Sequence, residues 1–188
     1  MTRPYMLTAS GKHFDLLDPK PEQVDRNDIF ASISKLCRFT GQCNKTYTVG
    51  QHSLLVMSLV PVEFRLEALM HDAEEAYVGD DGTPKKVALG MIDNGAYERF
   101  SHTIKSCVRR AFGLPEKMSP VVKQADIFAL GLEKRWYMPE DYEAWPVLGG
   151  VTLPKIPVAV QLIRFLPQFV VRMLLHYHFN KLTKGQFK

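Results

Sequence analysis

Apolar residues recur along this chain at intervals of three and four, a spacing that gathers them on one side of an α-helix. Ile29, Ile33, Leu36 and Cys37 form the first such stripe, with Asp28 placed to cap it. Val49, His52, Val56 and Leu59 form a second behind the capping residue Thr48. A third helix starts at Pro61 and runs through Leu66, Leu69, Met70, Ala73, Ala76 and Tyr77 until Gly79 stops it. Residues 93–112 read as a fourth, with Tyr97, Phe100, Ile104, Cys107, Val108 and Ala111 on its inner side. Ser119-Pro120 opens a fifth through Val122, Ala125, Ala129, Leu132 and Trp136. Residues 139–157, rich in Pro and Gly, read as a long loop, and 158–182 as a final helix kinked at Pro167. Ahead of all this lies an irregular lead over residues 1–27. No strand-like alternation persists and no repeat is visible, so the expectation is an all-α, compact, single-domain helical bundle spanning residues 1–188.

The informative departures are polar residues on the apolar stripes. His52 lies three residues after Val49 and four before Val56; taken alone, such a histidine is more often a hydrogen-bonded core residue than a metal ligand. Asp126, four after Val122 and three before Ala129, also points inward, and a buried carboxylate needs a cationic partner or a metal. The third helix carries His71-Asp72 at the end of an apolar run, followed by Glu74, Glu75, Asp80 and Asp81, with Glu75 on the same helical side as the pair. An acidic helix end is ordinarily just solvated, yet these acids oppose the helix dipole. Two histidines and two inward aspartates together call for a divalent ion, and imidazole with carboxylate suits Mn, Fe, Co or Zn.

Composition narrows the class without naming it. With 188 residues, 46% hydrophobic and 23% charged, the chain has ample material for a core and is no disordered tail. A net charge of +4 favours anionic ligands but provides no dense Lys/Arg track, so no stable nucleic-acid partner is expected. Cys37, Cys43 and Cys107 are odd in number and form no CxxC pair, which fits a reducing compartment. Residues 1–11 lack the apolar core of a signal peptide. The most apolar stretch, 156–179, is interrupted by Gln161, Arg164, Pro167, Gln168 and Arg172, so no membrane span and a cytoplasmic location are expected.

The ordered set His52, His71-Asp72 and Asp126 comes with recognisable flanks: Tyr47-Thr48-Val49-Gly50-Gln51-His52-Ser53, then His71-Asp72-Ala73-Glu74-Glu75-Ala76-Tyr77-Val78-Gly79-Asp80, then Thr83-Pro84-Lys85-Lys86. The lead from Gly11 through Phe14-Asp15-Leu16-Leu17-Asp18-Pro19 to Cys37-Arg38-Phe39-Thr40-Gly41-Gln42 matches as well. Over residues 11–136 the chain resembles the HD-domain metal-dependent phosphohydrolases, in particular the compact branch of bacterial 5′-deoxynucleotidases and phage dATP triphosphohydrolases. The resemblance implies a divalent ion (Co, Mn or Zn, with Mg as a further option) on His52, His71, Asp72 and Asp126. It also implies Glu75 and Asp80 as catalytic carboxylates, Arg38, Lys85 and Lys86 as phosphate contacts, and Phe39 beside the sugar. It implies homo-oligomers too, with the apolar last helix as an interface. Thr40 stands where some relatives carry Gly, which alters the nucleoside pocket, and Gly50 where Ala is common, which weakens that helix slightly.

The reading that follows is hydrolysis of the 5′-phosphate ester of deoxynucleotides, leaning toward triphosphate release from dNTP because Arg38, Lys85 and Lys86 suit a polyphosphate. A 5′-deoxynucleotidase acting on dNMP is the alternative. Alarmone hydrolysis ranks behind both, since its further signature residues have no place here. A non-catalytic basic helical module for RNA or protein binding is the alternative outside enzymology, and metal content separates it from the others.

Overall fold

The computed structural model describes residues 4–141 and 143–184; the first three residues of the predicted lead and the last four of the predicted domain lie outside that range. Helices dominate, as expected. The exception is a hairpin in the lead, β1 (Tyr5–Leu7) paired antiparallel with β2 (His13–Asp15), Met6 opposite Phe14. Strands of three residues are too short to show alternation. Phe14 pins the hairpin to the domain by stacking on Tyr77 at 3.9 Å.

Helix α1 (Arg26–Ile33) is capped by Asp25, whose side chain accepts from Asn27 N. Asp28, the predicted cap, lies one turn in, buried, and receives Ser10 N and Oγ at 2.7 Å each. It fastens the hairpin to α1. The helix ends at Ile33, short of Leu36 and Cys37. Helix α2 (Val49–Ser58) begins at Thr48 as predicted, with Gln51 completing a reciprocal capping box. It is the central rod: every residue from Val49 to Met57 is buried.

The predicted third helix is broken. Residues 62–64 form a 3-10 turn leading into α3 (Arg65–Leu69), and helical geometry resumes only at α4 (Glu75–Val78), so His71-Asp72 sits in the interruption. The dipole argument for these acids therefore falls, because Asp72 and Glu74 lie in a turn and Glu75 opens α4, where an acid suits the helix dipole. A further helix, α5 (Thr83–Asp93), has no place in the sequence reading because it buries no apolar stripe: Val87, Met91 and Ile92 are exposed and Leu89 is only half-buried. Asp93 ends α5, and α6 (Ala96–Ala111) follows, three residues inside the predicted start.

Helix α7 (Pro120–Tyr137) matches its prediction. Its start is anchored by Glu67, which accepts Ser119 N at 2.8 Å, Ser119 Oγ at 2.5 Å and Arg109 Nη2 at 2.9 Å. This buried cluster joins α3, α6 and α7 and so sets where α7 points its residues. The predicted loop lies across α7 where Gly131 leaves room: a Cβ there would meet Leu153 Cδ2 at 2.5 Å. The C-terminal helix is also divided, into α8 (Val158–Gln161), a 3-10 turn at Leu162–Phe165, and α9 (Gln168–Thr183). Leu166 is extended, as a residue before proline prefers, so Pro167 breaks the helix where a kink was expected. Val171, Leu175 and Phe179 of α9 are fully buried against the core. Among the described residues no helix is long and apolar enough to cross a membrane.

Candidate metal centre

Three separate elements deliver the predicted ligands to one point. The capping box holds the first turn of α2, and His52 projects from it, fully buried. The break after α3 turns His71 inward, where its Nδ1 donates to Ala68 O at 2.7 Å while Lys105 Nζ caps the His71 carbonyl at 3.2 Å. Helix α7 supplies Asp126. His52 Nε2 lies 3.1 Å from His71 Nε2, 3.5 Å from Asp72 Oδ2 and 3.3 Å from Asp126 Oδ1, and His71 Nε2 lies 3.1 Å from Asp72 Oδ2. His52, His71 and Asp72 form the tightest ligand group, with Asp126 joined through His52.

These separations fit a cation. Ligand atoms at about 2.1 Å from a metal stand about 3.0 Å apart on an octahedral edge and about 3.4 Å on a tetrahedral one. The donor set fits as well. Both Nδ1 atoms are committed, His71 to Ala68 O and His52 to Glu133 Oε1 at 2.6 Å, so both Nε2 atoms turn toward one another and toward two carboxylates. Burial pushes Asp72 and Asp126 up, but the two histidines outweigh it and hold both below the ordinary aspartate range. Asp126 also receives Lys123 Nζ at 3.0 Å from solvent.

Glu133 is the residue that sequence reasoning missed. Fully buried, it accepts His52 Nδ1, Tyr47 OH at 2.9 Å, and Arg38 Nη2 and Nε at 3.1 and 3.3 Å. Burial raises it, Arg38 and His52 lower it further, and the net shift is downward. Its signal was present: Glu133 follows Asp126 by seven residues, two turns along the same side of α7. Through it one carboxylate orients both a metal ligand and Arg38. Arg38, itself buried, also reaches to 3.8 Å from Asp72 Oδ2 with Nη1, so its fork lies between Glu133 and the ligand cluster.

Around this centre the remaining predicted residues divide. Glu75 is buried, its Oε2 without a hydrogen-bond partner, and burial together with Asp72 and Asp80 raises it well above the ordinary glutamate range. Asp80 accepts Phe39 N at 3.0 Å and is raised, chiefly by burial. Phe39 and Thr40 both adopt left-handed backbone, φ 54 and 55, a strained geometry for non-glycine residues costing about 1–2 kcal/mol each. Phe39 lies half-buried 6.3 Å from Trp145, which the 139–157 loop brings over and Asp141 holds through Nε1 at 2.9 Å. Trp145 was not anticipated. Lys85 is drawn off by Asp81, which also binds Tyr97. Lys86 lines a separate cleft of about 500 Å³ with Glu74, Tyr97, His102 and Lys105. Gly50 is not a mere weak point in α2: a Cβ there would approach Val171 Cγ1 to 2.8 Å, so the glycine sets the α2–α9 distance.

No model of a known protein family matches the chain. Over 147 residues it is 42% identical to the uncharacterized protein YfdR of Escherichia coli, a match spanning 78% of this chain and 80% of that one. It is 34% identical over 134 residues to the uncharacterized protein RCAP_rcc00048 of Rhodobacter capsulatus, spanning 66% of each.

Proposed function

This chain belongs to the family of the uncharacterized protein YfdR of Escherichia coli, and we propose, from the chemistry of its own site, that it is a metal-dependent phosphohydrolase of the HD-domain kind. It cleaves the 5′-phosphate ester of deoxynucleotides, acts in the cytoplasm, and releases triphosphate from dNTP. The observation that carries this reading is the approach of His52 Nε2, His71 Nε2, Asp72 Oδ2 and Asp126 Oδ1 to within 3.1–3.5 Å of His52 or of one another, beside a buried arginine and an unpartnered glutamate.

His52, His71, Asp72 and Asp126 would hold a divalent cation, which when bound would supply positive charge to a phosphoryl oxygen and acidify a water molecule. Arg38, oriented by Glu133, presents Nη1 to a second phosphate oxygen. Water attacks the α-phosphorus, the P–O5′ bond breaks, and the departing O5′ takes up a proton. Glu75 suits that donation: burial beside Asp72 and Asp80 raises its carboxyl well above the ordinary glutamate range, and Oε2 has no competing partner. Asp80, fixed by Phe39 N, offers its other oxygen to the attacking water or the sugar. Phe39 and Trp145 flank the approach as an aromatic wall for the nucleoside.

Cleavage of dNMP is the second reading, and the engagement of Lys85 by Asp81 favours it, because one cation fewer is left for a polyphosphate. Incubation with each dNMP and dNTP, with Mn, Co, Zn or Mg, followed by chromatography, tests both. Tripolyphosphate from dNTP supports the first reading and inorganic phosphate from dNMP the second. Absence of bound metal after reconstitution, together with no product from either, refutes the proposal.

A further inference from the structure

Two of the three cysteines bracket the turn that carries Arg38 and Phe39. Cys37 stands immediately before it, and Cys43 two residues after its end at Gly41. Both are half-buried, whereas Cys107 is fully buried in the core. The chain around Cys43 faces water: Thr40, Gly41, Gln42 and Asn44 are exposed. Neither thiol serves the proposed chemistry, yet the fold carries the second back toward the first. A short antiparallel contact, Cys37 with Thr48 and Arg38 N donating to Tyr47 O at 2.9 Å, fixes the entry to the turn. Gln42 N donates to Phe39 O at 2.9 Å and reverses the chain. Cys43 Sγ then reaches to 3.7 Å from the carbonyl oxygen of Arg38, the residue next to Cys37. The two sulfurs sense each other: burial pushes the Cys43 thiol up, and Cys37 pushes it further.

We infer that Cys37 and Cys43 form a dithiol switch that a peroxide closes into a disulfide, and that the closed form moves Arg38 and Phe39 out of position. The Cys37 thiolate attacks one oxygen of hydrogen peroxide, the O–O bond breaks, hydroxide leaves, and Cys37 becomes a sulfenic acid. The Cys43 sulfur attacks the Cys37 sulfur, an S–S bond forms, and the S–O bond breaks to release a second hydroxide. The two hydroxides take up the two thiol protons. Two thiols thus give two electrons to one peroxide, and two waters result. Burial of Cys43 suits it to the second step, and the solvent-facing turn admits the oxidant.

The bond disturbs the turn because both sulfurs must leave their present partners, Lys35 O at 3.9 Å for Cys37 and Arg38 O for Cys43. A disulfide also holds its Cα atoms about 4.4–6.8 Å apart. The backbone between them already runs left-handed at Phe39, Thr40 and Gly41, with φ 54, 55 and 77, and Phe39 N is tied to Asp80. A turn strained in this way yields when its ends are drawn together. Strain and exposure also keep the bond easy to reduce, as a reversible sensor in a reducing compartment requires. The effect on turnover rests on the phosphohydrolase reading; the bond and the movement of the turn do not.

Peptide mapping by mass spectrometry after treatment of the full chain with hydrogen peroxide, together with hydrogen exchange, tests the switch. A Cys37–Cys43 link is expected, two hydrogens lighter than the thiols and reversed by dithiothreitol. It should be absent from Cys37→Ser and from Cys43→Ser and retained in Cys107→Ser. In the oxidised chain the Phe39 amide, released from Asp80, should exchange at least about tenfold faster. Turnover of dNTP should fall about 100-fold, as ångström-scale displacement of a positioning group does, while Cys43→Ser keeps its turnover in peroxide. A sulfinic acid at Cys37 or a link between two chains, in place of the internal bond, overturns the proposal. So does an internal bond that leaves Phe39 exchange, or the turnover of an active chain, unchanged. A chain that hydrolyses neither dNTP nor dNMP when reduced, yet forms the bond with faster exchange at Phe39, supports the switch and counts only against the phosphohydrolase reading.

Discussion

Replacing Glu133 with glutamine changes one oxygen for an NH2 group and leaves the volume intact, which isolates the electrostatic role of this residue. All four of its contacts come from donors: His52 Nδ1 and Tyr47 OH on Oε1, Arg38 Nη2 and Nε on Oε2. A glutamine has one acceptor oxygen, so it satisfies one pair and turns its own donors on the other. If Arg38 loses, a buried cation is left with its NH groups facing NH groups; breaking a buried ion pair from one side costs about 3–5 kcal/mol. If His52 loses, the imidazole is free to rotate, and a lost orienting carboxylate typically costs 10–100-fold in metal affinity. At about 2–4 °C per kcal/mol for a chain of this size, Glu133→Gln should melt on the order of 10 °C below wild type. Titration calorimetry with Mn2+ should show metal affinity reduced by about 10–100-fold. Tyr47→Phe, which removes a single neutral donor, should cost only about 1 kcal/mol and spare the metal. A Glu133→Gln protein that melts within two degrees of wild type and binds Mn2+ equally well would show that Glu133 is a bystander.

Four further expectations probe other positions. Glu75→Gln should abolish turnover yet stabilise the metal-free protein at neutral pH by about 1–3 kcal/mol, because an amide cannot ionise, whereas the Glu75 carboxyl, which burial raises well above the ordinary glutamate value of 4.5, opposes folding as pH climbs past that value; melts in chelator at pH 7 and pH 4 should show the gain at pH 7 only. His52 is held charged: burial and Arg38 lower it, but Glu133, Asp126 and Asp72 outweigh them and raise it well above the ordinary histidine range, so a cation must displace its Nε2 proton. Metal affinity, followed by calorimetry in buffers of differing ionisation enthalpy, should therefore climb about tenfold per pH unit around neutrality with one proton released, and a flat profile would contradict this. Gly50→Ala should lower thermal stability by about 1–2 kcal/mol, since overpacking against Val171, Leu175 and Ile33 O at 2.8–3.2 Å outweighs the helix-propensity gain. Gly90→Ala in the open helix α5, where a Cβ meets nothing within 4 Å, should instead raise it.

Helical periodicity determined most of the rods of this protein, because burial of one side of a helix leaves a local, repeating imprint on the chain. His52, Asp126 and Glu75 were legible for the same reason: each is a polar residue standing in an apolar or shared helical face. Glu133 obeyed that rule as well, two turns from Asp126, but one carboxylate resembles another until its four donors are in place. Other features have no local imprint. The break that turns His71-Asp72 inward depends on Lys105, thirty-four residues away, taking the freed His71 carbonyl. The pairing of Asp28 with Ser10, the capture of Lys85 by Asp81 and the arrival of Trp145 beside Phe39 likewise join positions whose neighbours give no sign of them. Residue order thus decided which side chains must be hidden from water. Only the folded arrangement decided which hidden charges meet, since electrostatic pairing acts through distance in space and periodicity acts along the chain.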